Sequence, residues 1–229
     1  AESLLRSQVT VDAVAVTNNF VFNDPLRWEV EVSKIDFGTR LASEFGAPVV
    51  RIFAGDLPDD WSDPEKANER VFEGLCRAVE DAAERGVSLG LENHGRSHGS
   101  PEPLLELLER VEKATGSDAL GLTFDIGNFS LAGHDPVKAA KLLAPHVRLI
   151  HVKDFSSAPI PYDILVADES TRPRYERPDG SHAYGCPIGE GWVPILPALQ
   201  ALHANGCSLE GVPILVEYEG GVDCRSELP

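Results

Sequence analysis

The sequence predicts an α/β chain of the β/α-barrel kind, and three features carry that prediction. Short β-branched apolar runs recur, helix-start signals stand between them, and polar residues gather where each run ends.

The runs are Val11–Val16, Val49–Phe53, Val87–Leu91, Leu120–Ile126, Val147–Val152 and Val212–Val216. They lack the in–out alternation of a half-exposed strand, so they suit a parallel sheet covered on both faces. Between them the helices start alike: Asp24-Pro25, Asp63-Pro64, Ser100-Pro101 and Asp135-Pro136 each set a capping oxygen before a proline. Several stop at glycine just before the next strand, at Gly46, Gly86 and Gly116.

The polar strand ends favour a barrel over an open doubly wound sheet, and no glycine-rich phosphate loop follows the first run. Those ends are Asn18-Asn19, Arg51, Glu92-Asn93-His94, Asp125, His151 with Lys153-Asp154, and Glu217 with Glu219. In a (β/α)8 TIM barrel they share one rim, where active sites sit. Six strands are visible, so the first one or two βα units are expected upstream of Ala1. Residues 1–8 read as the end of a helix, and residues 1–229 as a single barrel domain. The stretch from Phe155 to Trp192 is too long for an ordinary connection and reads as a lid or insert.

Composition narrows the function. Hydrophobic residues are 42% and charged residues 25%, the balance of a globular protein. A net charge of −17 repels a phosphate backbone and argues against nucleic-acid binding. No apolar run approaches the ~20 residues of a membrane span, and no signal-like segment opens the chain. The four cysteines have no CxxC pairing, which suits reduced thiols and a cytoplasmic setting. The expected partner is a small polyhydroxylated substrate; homo-oligomerisation stays open.

Glu92, Asp125, His151 and Glu217 are the candidate metal ligands, one from each of the last four runs. Three carboxylates and an imidazole suit a divalent ion such as Mn²⁺, Mg²⁺ or Co²⁺; Zn²⁺ also accepts such donors. Each residue has a plainer reading. Asp125 alone could be a helix cap, His151 a satisfied core group, and Glu217 a solvated rim charge. As a set they would repel one another without a cation. Around them, His94 could touch substrate or orient Glu92. Arg51 could bind an anion or pair with a rim carboxylate. Glu190, in a Gly-Glu-Gly turn, is a candidate substrate contact. Trp61 and Trp192 could stack on a sugar or simply pack.

Five motifs then follow in order: Gly90-Leu-Glu-Asn-His-Gly95, Phe124-Asp-Ile-Gly-Asn128, His151-Val-Lys-Asp154, Gly189-Glu-Gly191 and Leu215-Val-Glu-Tyr-Glu219. The series resembles the sugar phosphate isomerase/epimerase family, with a xylose isomerase-like TIM barrel, in the superfamily that also holds endonuclease IV. The resemblance runs from about Val11 to Gly220. It implies that Glu92, Asp125, His151 and Glu217 are the four metal ligands and that Lys153 points toward substrate. Asn128 stands where some epimerases carry a sugar-contacting histidine. Their arginine after the histidine ligand has no match in Phe155-Ser156-Ser157, and both departures count against ketohexose 3-epimerase activity.

The implied chemistry is proton transfer through a metal-stabilised enediolate, with Glu92 and Glu217 on opposite faces of the substrate. Return of the proton to the same carbon gives an epimer, and to its neighbour an aldose–ketose isomer. Loss of a hydroxyl instead, with Lys153 or His94 as acid, gives a dehydratase of the inosose or 3-dehydroshikimate kind. A non-catalytic sugar-binding barrel is the alternative outside the enzymes. The DNA-repair branch needs further histidines at strand ends, and the visible ends do not supply them.

Overall fold

A computed structural model describes residues 9–56, 63–95, 99–158 and 174–219. Six parallel strands lie side by side in chain order and form one curled sheet. They are β1 (Val14–Ala15), β2 (Val49–Ile52), β3 (Ser88–Glu92), β4 (Leu120–Asp125), β5 (Val147–Val152) and β9 (Ile214–Val216). Helices α1 (Pro25–Phe45), α2 (Pro64–Glu84), α3 (Pro101–Thr115), α4 (Ile126–Leu131), α5 (Pro136–Leu143) and α6 (Ile195–Ala204) alternate with them. All six expected strands are present. The first is shorter than its apolar run because, of Val11–Val16, only Val14 and Ala15 pair with β2.

Most of the helix punctuation holds. Asp24, Asp63 and Asp135 cap α1, α2 and α5, each accepting backbone N–H groups of the first turn. Ser100 does not cap α3; its hydroxyl lies 3.3 Å from His134 Nε2 instead. Gly46 and Gly116 close α1 and α3 in the left-handed conformation, at φ 72° and 65°. Ile126, read as the end of a strand, begins α4, because the Asp125 carboxylate accepts the Asn128 N–H and starts the helix there.

The insert differs most from expectation. Within it β6 (Asp154–Ser156), β7 (Arg174–Glu176) and β8 (His182–Cys186) make a second, antiparallel sheet in the order β6-β8-β7. It docks through Phe155, which is fully buried and meets the Tyr175 ring at 5.5 Å and the Trp192 ring at 6.4 Å. Trp192 thus packs, while Trp61, the helical reading of 1–8 and Cys224 lie outside the described residues. Cys76, Cys186 and Cys207 are free thiols. Among the described residues no helix is long and apolar enough to cross a membrane.

The core between sheet and helices is continuous, built on residues such as Leu75, Leu89, Leu91, Leu122, Phe124 and Phe129. Asparagines lock strand ends by imitating a backbone rung. Asn18 binds both the N–H and C=O of Phe53, and Asn93 does the same to Asp125.

Candidate metal centre

Strand register decides which side chains meet. Glu92 lies opposite Thr123, two residues before Asp125; Asp125 lies opposite His151; and His151 lies opposite Leu215, two residues before Glu217. Side chains alternate along a strand, so these pairings send all four candidate ligands to the same face. Arg51, opposite Gly90, falls on that face as well, and so does Lys153.

The four ligand atoms lie within 4.8 Å of one another. His151 Nδ1 stands at the middle, 3.6 Å from Glu92 Oε2, 3.8 Å from Asp125 Oδ2 and 3.7 Å from Glu217 Oε2. Donors bound to one divalent ion at about 2.1 Å stand roughly 3.0–3.5 Å apart, so a small contraction would close the cluster around a cation. Glu92 Oε2, Asp125 Oδ2 and His151 Nδ1 are buried without a hydrogen-bond partner, although such groups are normally paired. The donor set fits a hard or borderline divalent ion.

The two readings of Asp125 turn out to be compatible. One oxygen, Oδ1, accepts the Asn128 N–H at 2.7 Å and caps α4. The other, Oδ2, faces the cluster. Burial pushes the Asp125 carboxyl up to about 7 against the pull of Lys153. Burial likewise lifts Glu92 to about 7, with Arg51 opposing and Glu217 adding to the rise. Glu217 is held well below the ordinary carboxylate range by the facing His151 imidazole and by Lys153. The cluster is thus a crowd of carboxylates that a cation would relax.

Lys153 is buried, with its ammonium 3.0 Å from Asp125 Oδ2 and 2.7 Å from both Glu217 Oε2 and Glu219 Oε1. Burial acts to lower its pKa, but the surrounding carboxylates outweigh it and keep the ammonium charged. Its stem crosses Gly127, where a Cβ would collide with Lys153 Cγ.

The other predicted residues divide. Asn128 belongs to the centre: its Nδ2 donates to Glu92 Oε1 at 2.9 Å. Arg51 backs the centre, with Nε 3.2 Å from Glu92 Oε2, Nη1 donating to the Val16 carbonyl and its guanidinium over the Phe53 ring. Of the two readings of Arg51, this geometry is the ion pair with a rim carboxylate. His94 packs against Phe53 with the rings tilted, 4.8 Å between centroids, and lines a cavity of about 760 Å³ together with Asn128, Tyr175 and Glu219. Glu190 is exposed and does not line that cavity.

The Gly-Glu-Gly turn serves another residue, which sequence reasoning missed. Asp154 is buried, and its carboxylate accepts the N–H groups of Phe155, Gly189, Gly191 and Val193 at 2.9–3.0 Å. At Gly191 a Cβ would strike Asp154 Oδ1, so this turn needs glycine. The available signal was an aspartate in an apolar strand end followed, 35 residues on, by two glycines flanking one residue. Glu219 was missed as well, although it shares the strand parity of Glu217.

Comparison with known proteins agrees with this architecture. The family model described as xylose isomerase-like TIM barrel matches residues 3–227. The chain is 34% identical over 116 residues to the Methanocaldococcus jannaschii protein MJ1311, covering 48% of this chain and 38% of that protein. It is 26% identical over 179 residues to Escherichia coli YihM, covering 76% and 45%. The chain thus spans less than half the length of these curated relatives. Among solved structures, a xylose isomerase-like TIM barrel protein from Mycobacterium smegmatis in complex with magnesium matches at TM-score 0.71 and 18% identity, covering 96% of this chain and 70% of that one. An L-ribulose 3-epimerase matches at TM-score 0.71 and 18% identity, covering 98% and 68%. The probable 3-DHS dehydratase AsbF of Bacillus anthracis matches at TM-score 0.70 and 19% identity, covering 99% and 76%. At such identities the structures speak for the fold, and the family match speaks for descent. This chain belongs to the xylose isomerase-like TIM barrel family.

Proposed function

We propose that this chain is a divalent-metal-dependent isomerase or epimerase of small polyhydroxylated carbonyl compounds. The observation that carries the reading is the convergence of Glu92, Asp125, His151 and Glu217 within 4.8 Å on one barrel rim, beside a cavity. A divalent ion held by these four would polarise a substrate carbonyl and offset the charge that develops when a neighbouring proton leaves. The chain's own groups move the proton. Glu217, kept ionised by His151 and Lys153, is placed to take it from carbon. Glu92, on a separate strand and steadied by Arg51, is placed to return one from the opposite face. Delivery to the same carbon inverts it, and delivery to the adjacent carbon exchanges aldose and ketose. Lys153 offers an ammonium proton to the substrate oxygen, while Arg51 and Asn128 hold Glu92 in place.

That ammonium also supports a second reading. Beside the cluster it could protonate a departing hydroxyl, which would make the chain a dehydratase; the AsbF likeness is consistent with that outcome. Metal analysis followed by a ketose panel in deuterated water tests both. Solvent deuterium next to the carbonyl, with the sugar skeleton intact, is the expected result; loss of water would select the dehydratase. Tight binding of a sugar with no exchange on any of them would leave a binding barrel and end the enzymatic reading.

A further inference from the structure

The Lys153 ammonium has three protons to place, and its carboxylate neighbours are not equivalent. Asp125 Oδ2 and Glu217 Oε2 are the atoms that also face His151 Nδ1, so a cation in the cluster would draw on the same oxygens. Glu219 stands outside the quartet. Its Oε1, 2.7 Å from Lys153 Nζ, holds the ammonium without competing for a cation. Tyr175 lines the same cavity as Glu219 and Asn128, and its hydroxyl pKa is raised by burial and by the Glu219 carboxylate beside it. The tyrosine comes from β7 of the insert and leans edge-on against buried Phe155. A lysine needs such a guide, because its four-carbon stem has many rotamers and its ammonium no directional preference of its own.

We propose that Tyr175 and Glu219 are a positioning pair for Lys153: the hydroxyl fixes the carboxylate, and the carboxylate aims the ammonium at the substrate cavity. The antiparallel insert thereby sets part of the geometry of the barrel's reacting site. This rests on the reading of Lys153 as the group that meets a substrate oxygen.

The test uses the full chain loaded with Mg²⁺ and ¹⁵N-labelled at lysine. A hydrogen-bonded ammonium exchanges slowly with water and gives a visible resonance, assigned through its loss in Lys153→Met. Glu219→Gln should abolish that resonance and Tyr175→Phe should broaden it. Calorimetric Mg²⁺ affinity should stay within about twofold in both, since neither residue belongs to the four-ligand cluster and the Lys153 ammonium they hold carries no metal. Deuterium wash-in to the ketose that wild type accepts should fall about tenfold in Tyr175→Phe and about a hundredfold in Glu219→Gln, in kcat more than KM. A resonance that persists in Glu219→Gln overturns the proposal, and so does a tenfold loss of Mg²⁺ affinity there, which would make Glu219 part of the metal site. If wild type exchanges no ketose, the isomerase reading fails by itself, and the resonance still decides the positioning pair.

Discussion

Asp125 and Asp154 are both buried aspartates at the ends of adjacent chain segments, yet they use their oxygens in opposite ways. Asp154 sits where the insert leaves β5, and both its oxygens accept backbone N–H groups, four in all. Asp125 accepts one N–H, and its second oxygen has no backbone donor; it faces His151 and, at 3.0 Å, the Lys153 ammonium. A carboxylate filled by backbone donors is a structural tie, since each donor would otherwise be buried and unpaired. A buried carboxylate crowded by others is costly to keep ionised even with one ammonium beside it, and a further positive charge would offset that cost. Burial alone therefore does not mark function; what the oxygens still lack does.

The largest expected effects fall on the open group. Glu217→Gln should reduce turnover about a thousandfold or more and weaken divalent-ion binding, because it removes both a ligand charge and the proposed base. Its folding should be nearly unchanged. Unaltered deuterium exchange in this variant would take Glu217 out of the site. Substituting the two aspartates sharpens the contrast. Asp154→Asn puts N–H donors against donors and should cost about 2–4 kcal/mol in urea denaturation. Asp125→Asn keeps the cap on Asn128 and leaves Lys153 its two other carboxylates, so it should cost less metal-free stability than Asp154→Asn while metal affinity drops about a hundredfold or more. Equal losses of stability in the two variants would erase the distinction.

Acidity reads the same difference without mutation. Glu92 and Asp125 titrate higher in the folded chain than in an unfolded one, so folding favours their protonated forms. Their contribution is complete below the ordinary carboxylate range and is lost as pH climbs to about 7. Glu217 is shifted downward and Lys153 upward, so their windows lie outside this interval. His94, its pKa lowered by the partial burial of its ring, opposes the trend only below about pH 6.5. The metal-free protein should therefore lose stability between pH 5 and 7, by at most about 1.4 kcal/mol per pH unit for each of the two carboxyls. Saturating Mg²⁺ should flatten or reverse the slope, since ligation keeps both groups ionised. Melting curves at fixed ionic strength, with EDTA and with Mg²⁺, check it. A metal-free chain that gains stability over this interval would mean that Arg51 and Lys153 outweigh the burial of these carboxylates.

The pattern of what could be read from the sequence follows from interaction range. Strand ends and Asp-Pro helix starts are local, so the β/α order and the faces of Glu92, Asp125, His151 and Glu217 were legible from period and position. Partnerships across the fold were not. Nothing near Arg51 in sequence says that Glu92 will stand 3.2 Å away, and nothing near Asp154 says that a turn 35 residues on will wrap it. Ser100 shows the limit of a local rule: it has the sequence of a cap, yet His134 engages its hydroxyl. The insert was legible only as a length, since strands as short as Arg174–Glu176 carry too little periodicity to be seen.

Glu190 gives the smallest expected effect and guards the comparison from the other side. Its neighbours Gly189 and Gly191 carry the N–H groups that fill Asp154, while its own side chain is exposed. If the turn matters only through its backbone, Glu190→Ala should leave melting temperature and deuterium exchange unchanged, with any stability shift inside about 0.5 kcal/mol. Gly191→Ala, one residue away, should be far more damaging, because its Cβ meets the Asp154 carboxylate. A large loss of exchange in Glu190→Ala with normal stability would show that the turn reaches the substrate. The filled aspartate would then be fixing a functional loop as well as tying the insert to the barrel.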